Sequence, residues 1–140
     1  MGEFIIAQKS LILFDKKVLL LQYSSIPWES RENKWGFVGG SLEFGESLSE
    51  GLAREIKEET GLTVCVDKLL CAAMHYVANL EDSMQWIHLY YLSYANTNEI
   101  TLSDEHKDYL WATRTQITDL VEDKAVLRDI MPIIDEIDIE

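Results

Sequence analysis

The chain has 140 residues, of which 47% are hydrophobic, so it has the length of one ordinary domain and enough apolar side chains for a packed core. We therefore expect a single domain over residues 1–140. The formal net charge is −13 at pH 7, which disfavours binding to duplex nucleic acid, and no run of about 18 apolar residues is present to span a membrane.

Two strands are predicted at the start of the chain. Residues 3–14 and 18–23 are rich in apolar and β-branched side chains, and the polar segment 15–17 between them is typical of a hairpin turn.

The first residues lack the basic region of a signal peptide, and the chain has two cysteines, Cys65 and Cys71. Both cysteines are expected to be buried free thiols, which favours a cytoplasmic protein.

A polar loop over residues 24–34 separates this hairpin from the next predicted strand, residues 35–40. Trp28 and Arg31 in the loop are candidates for base stacking and for phosphate contact, respectively. A surface loop with one half-buried tryptophan is the simpler interpretation of these residues. The strand ends in two glycines, which predicts a turn.

A helix is predicted over residues 48–60. Ser47 and Glu50 have the spacing of a capping box, in which a hydroxyl and a carboxylate satisfy free N–H groups at the start of a helix. Gly61 favours the left-handed conformation in which many helices end. Three apolar residues at i+4 spacing are predicted to form the buried stripe of this helix: Leu48, Leu52 and Ile56.

Three glutamates lie close together on the predicted helix. Glu55, Glu58 and Glu59 stand at positions i, i+3 and i+4, which are neighbours on a helix surface. Like charges at this spacing oppose helix formation by about 0.2–0.5 kcal/mol per pair. A solvated acidic helix is one interpretation of such a charge run. A bound cation is the other, and oxygen ligands favour a hard ion such as Mg²⁺ or Mn²⁺ over zinc.

The spacing of these residues resembles the motif of a known enzyme family. The order is Gly40, five residues, Glu46, seven residues, and then Arg54-Glu55-Ile56-Lys57-Glu58-Glu59-Thr60-Gly61-Leu62. This segment is similar to the Nudix box, G-x5-E-x7-R-E-U-x-E-E-x-G-U with U a bulky apolar residue, and all nine specified positions are filled. The resemblance implies an α+β protein with the Nudix fold, an α/β/α sandwich in which helices flank a mixed, curved β-sheet.

The resemblance also implies roles for individual residues. The implied metal ligands are the carbonyl of Gly39 and the side chains of Glu55, Glu58 and Glu59, with Glu46 as an ancillary ligand or a structural partner. The implied cofactor is Mg²⁺, with Mn²⁺ as a substitute. Gly40 is expected to contact the substrate, and Arg54 to pair with a glutamate of the motif and orient it. The general base is Glu55, Glu58 or an acid in a later loop, and Glu55 is preferred.

The middle of the chain is predicted to form a second hairpin. Residues 62–78, bent near residues 67–68, and residues 84–95 are predicted strands, with a turn at residues 79–83 between them. The two histidines within these strands, His75 and His88, are expected to be structural. Four tyrosines are candidates either for lining a pocket or for packing the core: Tyr76, Tyr90, Tyr91 and Tyr94.

An acidic, polar segment over residues 96–108 precedes the last predicted strand. Glu105 within it is the candidate, by resemblance to the family, for an additional metal ligand or for the general base, and a solvated acidic loop is the alternative interpretation. A helical turn is predicted over residues 115–120. Residues 121–137 have apolar side chains at helical spacing, but Pro132 predicts a helix that is kinked or begins near the proline.

The function implied by the resemblance is Mg²⁺-dependent hydrolysis of the pyrophosphate linkage in a nucleoside diphosphate derivative, a small-molecule nucleotide. A nucleoside triphosphate is the preferred substrate, and a dinucleoside polyphosphate or a nucleotide sugar is the alternative. A catalytically silent nucleotide-sensing module is a further alternative, which the complete set of acidic residues disfavours. The resemblance also implies a homodimer.

Overall fold

The computed structural model describes residues 2–77 and 84–140, with the backbone alone for residues 75–77. Its strands are β1 (Glu3–Phe14), β2 (Lys17–Tyr23), β3 (Trp35–Gly36), β4 (Val38–Ser41), β5 (Cys65–Val77), β6 (Met84–Tyr94) and β7 (His106–Ala112). Its helices are α1 (Leu48–Thr60), α2 (Arg114–Leu120) and α3 (Lys124–Ile134), with a short 3₁₀ helix at Glu29–Arg31. The predicted turn at residues 79–83 and the side chains of His75 and Tyr76 lie outside the described residues.

The described strands form one mixed sheet. The main path of the sheet has the order β3-β2-β1-β6-β5, while β4 pairs with β1 and β7 pairs with β2. Strands β1 and β6 are parallel, in register from Glu3 opposite Met84 to Leu13 opposite Tyr94, and the other pairs are antiparallel. Because β1 pairs with β2, β4 and β6, it is the central strand around which the other segments are placed.

Helices cover both faces of the sheet, since alternate residues of a strand point to opposite sides. On one face, Leu11, Leu13, Val18 and Leu20 share a core with Ile117, Leu127, Ile130 and Ile134 of α2 and α3. On the other face, Ile12, Leu19 and Leu21 share a core with Leu52 and Ile56 of α1. Each fully buried side chain of this kind contributes roughly 1.5–3 kcal/mol. The predicted α+β fold, with helices flanking a mixed sheet, is confirmed.

Helix α1 has the predicted boundaries. The capping box is formed, since the Glu50 N–H donates to Ser47 Oγ, and Gly61 ends the helix with a φ of +76°. Leu52 and Ile56 are buried as expected, but Leu48 is 46% exposed. Leu48 is the first residue of the helix, where the side chain lies at the end of the packed stripe, so the prediction that it is buried is wrong.

Two other predictions about strands need correction. The strand predicted over residues 35–40 is divided at Phe37, because β3 pairs with β2 whereas β4 pairs with β1, and Phe37 between them is buried in the core. Cys65 is exposed and Cys71 is half-buried, and both are free thiols. The prediction of two buried thiols is wrong for Cys65 because β5 lies at the edge of the sheet. The bend expected near residues 67–68 corresponds to a register shift between Val66 and Lys68.

Helix α3 begins well before its proline. The Asp123 carboxylate accepts hydrogen bonds from the N–H groups of Ala125 and Val126 and so caps the first turn of the helix. Pro132 lies inside the helix, near its end, and the helix continues to Ile134. The prediction of a start near Pro132 is wrong, because a proline near the end of a helix removes one hydrogen bond without preventing the turns before it. Within the part of the chain that the structure describes, no helix combines the length and apolar character needed to cross a bilayer.

Candidate active site

Two glycines of β4 bring the backbone into close contact with β1 and α1. Gly39 has a φ of +148°, and a Cβ atom on it would lie 1.9 Å from the carbonyl oxygen of Gln8. A Cβ atom on Gly40 would lie 2.6 Å from the carboxyl carbon of Glu55. The absence of side chains at these two positions therefore lets β4 lie very close to the β1 backbone and to the Glu55 carboxyl.

Glu59 is buried beneath the same strand. Its side chain is at the end of α1, the residue is 5% exposed, and its Oε2 accepts a hydrogen bond of 2.9 Å from the N–H of Gly39. Burial raises the pKa of Glu59 to about 8, since the favourable effect of Lys9 is outweighed by burial and by the nearby acids Glu55 and Glu105. Burial likewise raises the pKa of Glu55. These two carboxyls form a poorly solvated site that favours a nearby cation.

Lys9 places one positive charge in this site. It lies opposite Gly39 in the β1–β4 pair, and its Nζ donates to the Gly39 carbonyl oxygen at 3.1 Å and to the Tyr23 hydroxyl at 3.4 Å. Burial tends to lower the pKa of Lys9, but the interactions with Tyr23 and Glu59 together raise it above its ordinary value. Lys9 is therefore a charged side chain at neutral pH.

Sequence reasoning missed Lys9, although the sequence contains a signal for it. Residues 8–10 are three consecutive polar residues within an apolar strand. Gln8 and Ser10 are 1% and 0% exposed, and both are hydrogen-bonded, Gln8 to the Leu48 carbonyl at 2.9 Å and Ser10 to the Ser93 hydroxyl at 2.8 Å. Because buried polar groups nearly always have partners, a polar triplet in a core strand indicates a polar site on the neighbouring elements.

Arg54 joins four carboxylates at one side of the turn and helix. Its Nε and Nη2 donate to the two carboxylate oxygens of Glu46 at 2.7 and 2.9 Å. Its Nη1 lies 3.1 Å from Glu55 Oε1 and 3.2 Å from Glu58 Oε2, and its Nη2 lies 3.6 Å from Glu43. The hydrogen bonds from Arg54 lower the pKa of Glu46 to about 2. Arg54 thus contacts both Glu55 and Glu58, and both carboxylate oxygens of Glu46 are bound to the arginine.

Other groups of the protein offset the repulsion among Glu55, Glu58 and Glu59, which a bound cation was predicted to balance. Glu55 and Glu58 share the guanidinium of Arg54, and Glu59 is bonded to the Gly39 N–H. In residues 2–77 and 84–140, no three His, Cys, Asp or Glu side chains meet in an arrangement that would hold a metal ion as they stand. Any bound cation would therefore exchange contacts with groups that these carboxylates already use.

A cavity of about 1020 Å³ opens beside the two glycines. Many of the predicted site residues line it: Trp28, Arg31, Gly39, Gly40, Glu55, Glu59 and Glu105. Three predicted site residues do not line it: Glu46, Arg54 and Glu58. Lys9 and Tyr23, which were not predicted, are among the lining residues. The structure therefore brings the loop candidates together with two of the three motif glutamates, and leaves Glu58 beside Arg54.

Aromatic rings form much of the wall opposite the acids. Trp86, His88 and Tyr90 follow one another on β6 with ring centroids 6.1 Å apart in each pair and with planes inclined by 16° and 24°. Trp28 is 58% exposed at the cavity, and the Arg31 guanidinium lies 5.6 Å from the centre of the Tyr23 ring. The cavity therefore offers flat apolar faces together with a cation.

Two of the other tyrosine candidates, Tyr91 and Tyr94, do not line the cavity. Tyr91 packs against the core beneath α1, and Tyr94 is 45% exposed.

His106 is a further residue that sequence reasoning missed: it is 5% exposed, and its ring centre lies 4.8 Å from that of Tyr23. Burial lowers the pKa of His106 to about 4, so it is neutral at pH 7 and supports the Tyr23 ring.

Comparison with known proteins identifies the family. The chain matches the family described as NUDIX domain over residues 8–132. The chain belongs to the Nudix family. The prediction of a hydrolase acting on acid anhydrides in phosphorus-containing compounds is confirmed at the level of this family.

Curated Nudix relatives are similar over part of their length. Nucleoside triphosphatase NudI of Enterobacter sp. (strain 638) is 27% identical over 94 residues, which cover 62% of this chain and 67% of that protein. The NudI protein of Escherichia fergusonii is 27% identical over 85 residues, which cover 56% of this chain and 60% of that protein. The match therefore spans about three fifths to two thirds of these relatives.

Solved Nudix structures are similar over nearly the whole chain. The crystal structure of the MutT protein from Methanosarcina mazei Go1 has a TM-score of 0.80 and 29% identity, covering 96% of this chain and 95% of that one. The MutT NUDIX hydrolase from Burkholderia pseudomallei has a TM-score of 0.69 and 21% identity, covering 97% and 99% of the two chains. At 21% identity, the similarity to the second structure concerns the fold alone.

The family implies a divalent metal ion, and the cavity side of this Nudix site fits one. Its acids, Glu55 and Glu59, offer oxygen donors alone, which suit a hard cation. Burial raises the pKa of both acids, so their charged forms are disfavoured unless a further positive charge lies nearby. A hard divalent cation would supply the missing positive charge.

Proposed function

We propose that the chain is a Mg²⁺-dependent pyrophosphohydrolase of nucleoside triphosphates, in which Mn²⁺ can substitute. The observation that carries the proposal is the pair formed by the buried acid Glu59 and the half-buried acid Glu55, held against Gly39 and Gly40 at the wall of a nucleotide-sized cavity. The relatives named as nucleoside triphosphatases support the substrate class.

Binding of a triphosphate requires local positive charge, because the chain as a whole carries a net charge of −13. Three basic side chains line the cavity: Lys9, Arg31 and Lys34. We assign Arg31 to a phosphate group and Trp28 to stacking on the base, with the aromatic rings of β6 as the apolar wall behind it. In this arrangement the phosphates lie towards β4, where Gly40 allows close approach of the backbone.

Hydrolysis requires that the charge of the pyrophosphate be neutralised and that a water molecule be activated. A Mg²⁺ ion held there would supply positive charge to the phosphoryl oxygens and would lower the pKa of a water molecule. Glu55 and Glu59 would hold the cation, and Glu58, which shares Arg54 Nη1 with Glu55, would be the third ligand. Arg54 keeps the Glu55 carboxyl at the cavity wall.

The proton of the attacking water goes to a carboxylate of this chain. Glu55 is our assignment for this general base, since its carboxyl lines the cavity and is fixed by Arg54. Glu105 is the second candidate, because it lines the same cavity from the loop before β7, where its backbone carbonyl accepts from the N–H of Ser24 at 2.9 Å.

A substrate screen with identified products tests the proposal. Nucleoside triphosphates, dinucleoside polyphosphates and nucleotide sugars are incubated with Mg²⁺ or Mn²⁺ in ¹⁸O-labelled water, and products are identified by ³¹P NMR and mass spectrometry. We expect a nucleoside monophosphate and pyrophosphate from a triphosphate, and no turnover with EDTA. Preferred cleavage of a dinucleoside polyphosphate or nucleotide sugar would establish that alternative instead. Nucleotide binding by calorimetry without any turnover would identify a sensing module. Light scattering after size exclusion tests the predicted homodimer.

A further inference from the structure

Lys9 and Gly39 lie opposite each other in the β1–β4 pair, and both polar backbone groups of Gly39 are occupied. The Gly39 N–H donates to Glu59 at 2.9 Å, and the Gly39 carbonyl oxygen accepts from Lys9 Nζ at 3.1 Å. The approach of Gly39 to the Gln8 carbonyl leaves no room for a side chain, so this part of β4 is tightly held against β1. The Gly39 carbonyl therefore faces the lysine in a fixed direction.

The position of the Lys9 ammonium is also defined by its other neighbours. Its second hydrogen bond goes to the Tyr23 hydroxyl at 3.4 Å. The Tyr23 ring is in turn supported by the buried His106 ring at 4.8 Å and by the Arg31 guanidinium at 5.6 Å. These contacts hold the ammonium at the wall of the cavity, which Glu59 also lines.

A divalent cation bound to the Gly39 carbonyl would lie next to this ammonium. Two positive charges at such a short separation repel each other. The ammonium already makes the contact with the Gly39 carbonyl oxygen that a cation would make there. Lysine and metal ion are therefore competitors for one position.

We propose that the Lys9 ammonium takes the place of one divalent cation at the Gly39 carbonyl. The proposal rests on the metal dependence proposed above, and it replaces the expectation that Gly39 is itself a metal ligand. The remaining cation is held on the Glu55 side of the cavity. Lys9 acts as a positioning residue, since it fixes the Gly39 carbonyl.

Titration of the metal-free protein with Mn²⁺, followed by the electron paramagnetic resonance signal of free Mn²⁺, tests this proposal. The variant is Lys9→Met, which removes the charge and keeps a long apolar side chain. Lys9→Arg keeps the charge. Lys34→Met is the matched control. Lys34 is exposed and lines the same cavity, and its replacement by methionine removes one positive charge, as Lys9→Met does.

We expect Lys9→Met to bind one additional Mn²⁺ per chain, or to bind Mn²⁺ at least about threefold more tightly than the wild type. Lys9→Arg and Lys34→Met should match the wild type in number of ions and within about threefold in affinity. The same number of ions and an affinity within about threefold for Lys9→Met would overturn the proposal. An equal gain in Mn²⁺ binding in Lys34→Met would also overturn the proposal, since removal of any positive charge from the cavity would then have the same effect.

Two further measurements keep the result interpretable. If thermal denaturation shows that Lys9→Met does not fold, Lys9→Gln is compared with Lys9→Arg under the same criteria. Wild-type protein that binds no Mn²⁺ with or without nucleotide would contradict the proposed metal-dependent function, and with it this inference. Wild-type protein that binds Mn²⁺ and hydrolyses a nucleotide, with Lys9→Met unchanged in Mn²⁺ binding, would overturn this inference alone.

Discussion

The backbone N–H of Gly39 donates a 2.9 Å hydrogen bond to the carboxyl of Glu59, a residue 20 positions later in the chain. This bond fastens β4 to the last turn of α1. It also places a buried acid directly behind the backbone that lines the cavity. The sheet and the helix that carries the motif are therefore joined at the site itself.

Substitution of Gly39 is expected to destabilise the protein strongly. Gly39→Ala would place a Cβ atom 1.9 Å from the Gln8 carbonyl oxygen at a φ of +148°, so we expect the free energy of unfolding to fall by about 3 kcal/mol or more. Gly45→Ala is the control, because Gly45 has a φ of +89° with nothing within 4 Å, and we expect a loss of about 1 kcal/mol. Equal losses in urea denaturation would show that the close approach at Gly39 is unimportant.

Removing the charge of Glu55 or Glu58 is expected to abolish most turnover. Glu55→Gln and Glu58→Gln should each lower kcat by about a hundredfold or more, which is the scale of losing one preorganised electrostatic group. Glu50→Gln on the same helix is the control, since glutamine also completes a capping box. Near-wild-type kcat with Mg²⁺ in Glu58→Gln would show that Glu58 is not a metal ligand.

Glu59 is expected to make the metal-free protein less stable as the pH rises. Its pKa is about 8 in the folded chain and 4.5 in the reference state, so the folded protein binds more protons between these values. Its stabilising effect is full below about pH 4.5 and is lost as the pH rises through 8. Glu59→Gln should therefore exceed the wild type in unfolding free energy by about 2 kcal/mol at pH 9, and by less at pH 5, when measured in EDTA. A difference independent of pH would contradict this.

His106 is expected to make the protein less stable as the pH falls, which is the opposite of the effect of Glu59. Its pKa is about 4 in the folded chain and 6.5 in the reference state, so the unfolded chain binds more protons between these values. Stability contributed by the neutral imidazole is present above about pH 6.5 and is lost towards pH 4. Relative to His106→Asn, the wild type should lose about 2 kcal/mol between pH 7 and pH 5. Parallel pH curves for the two proteins in denaturant titrations would refute the assignment.

The sequence predicted those elements whose determinants are local. Both ends of α1 were predictable, because Ser47, Glu50 and Gly61 act within one turn of the helix. The start of α3 was left open between a kinked helix and one that begins near Pro132, because the proline was given more weight than the cap at Asp123. Exposure of Cys65 depended on which strand lies at the edge of the sheet, and a strand's own sequence does not contain that information.

The chemistry of the site was predictable from the sequence only in part. The motif indicated Glu55 and Glu59, because their spacing fixes their position on one helix. Lys9 was missed because its partner, the Gly39 carbonyl, lies 30 positions away and becomes a neighbour only through strand pairing. The same holds for the contact between Tyr23 and His106, which belong to different strands.

Arg54 bridges two segments with different roles: Glu43 and Glu46 belong to the connection before α1, whereas Glu55 and Glu58 belong to the helix. Only a guanidinium has enough donors, spread in one plane, to reach carboxylates on both. In a saturation mutagenesis library selected for activity, position 54 should accordingly accept no other amino acid, lysine included. The loop and the helix then have to evolve together, since an insertion or deletion in either would pull an acid away from the arginine that serves both.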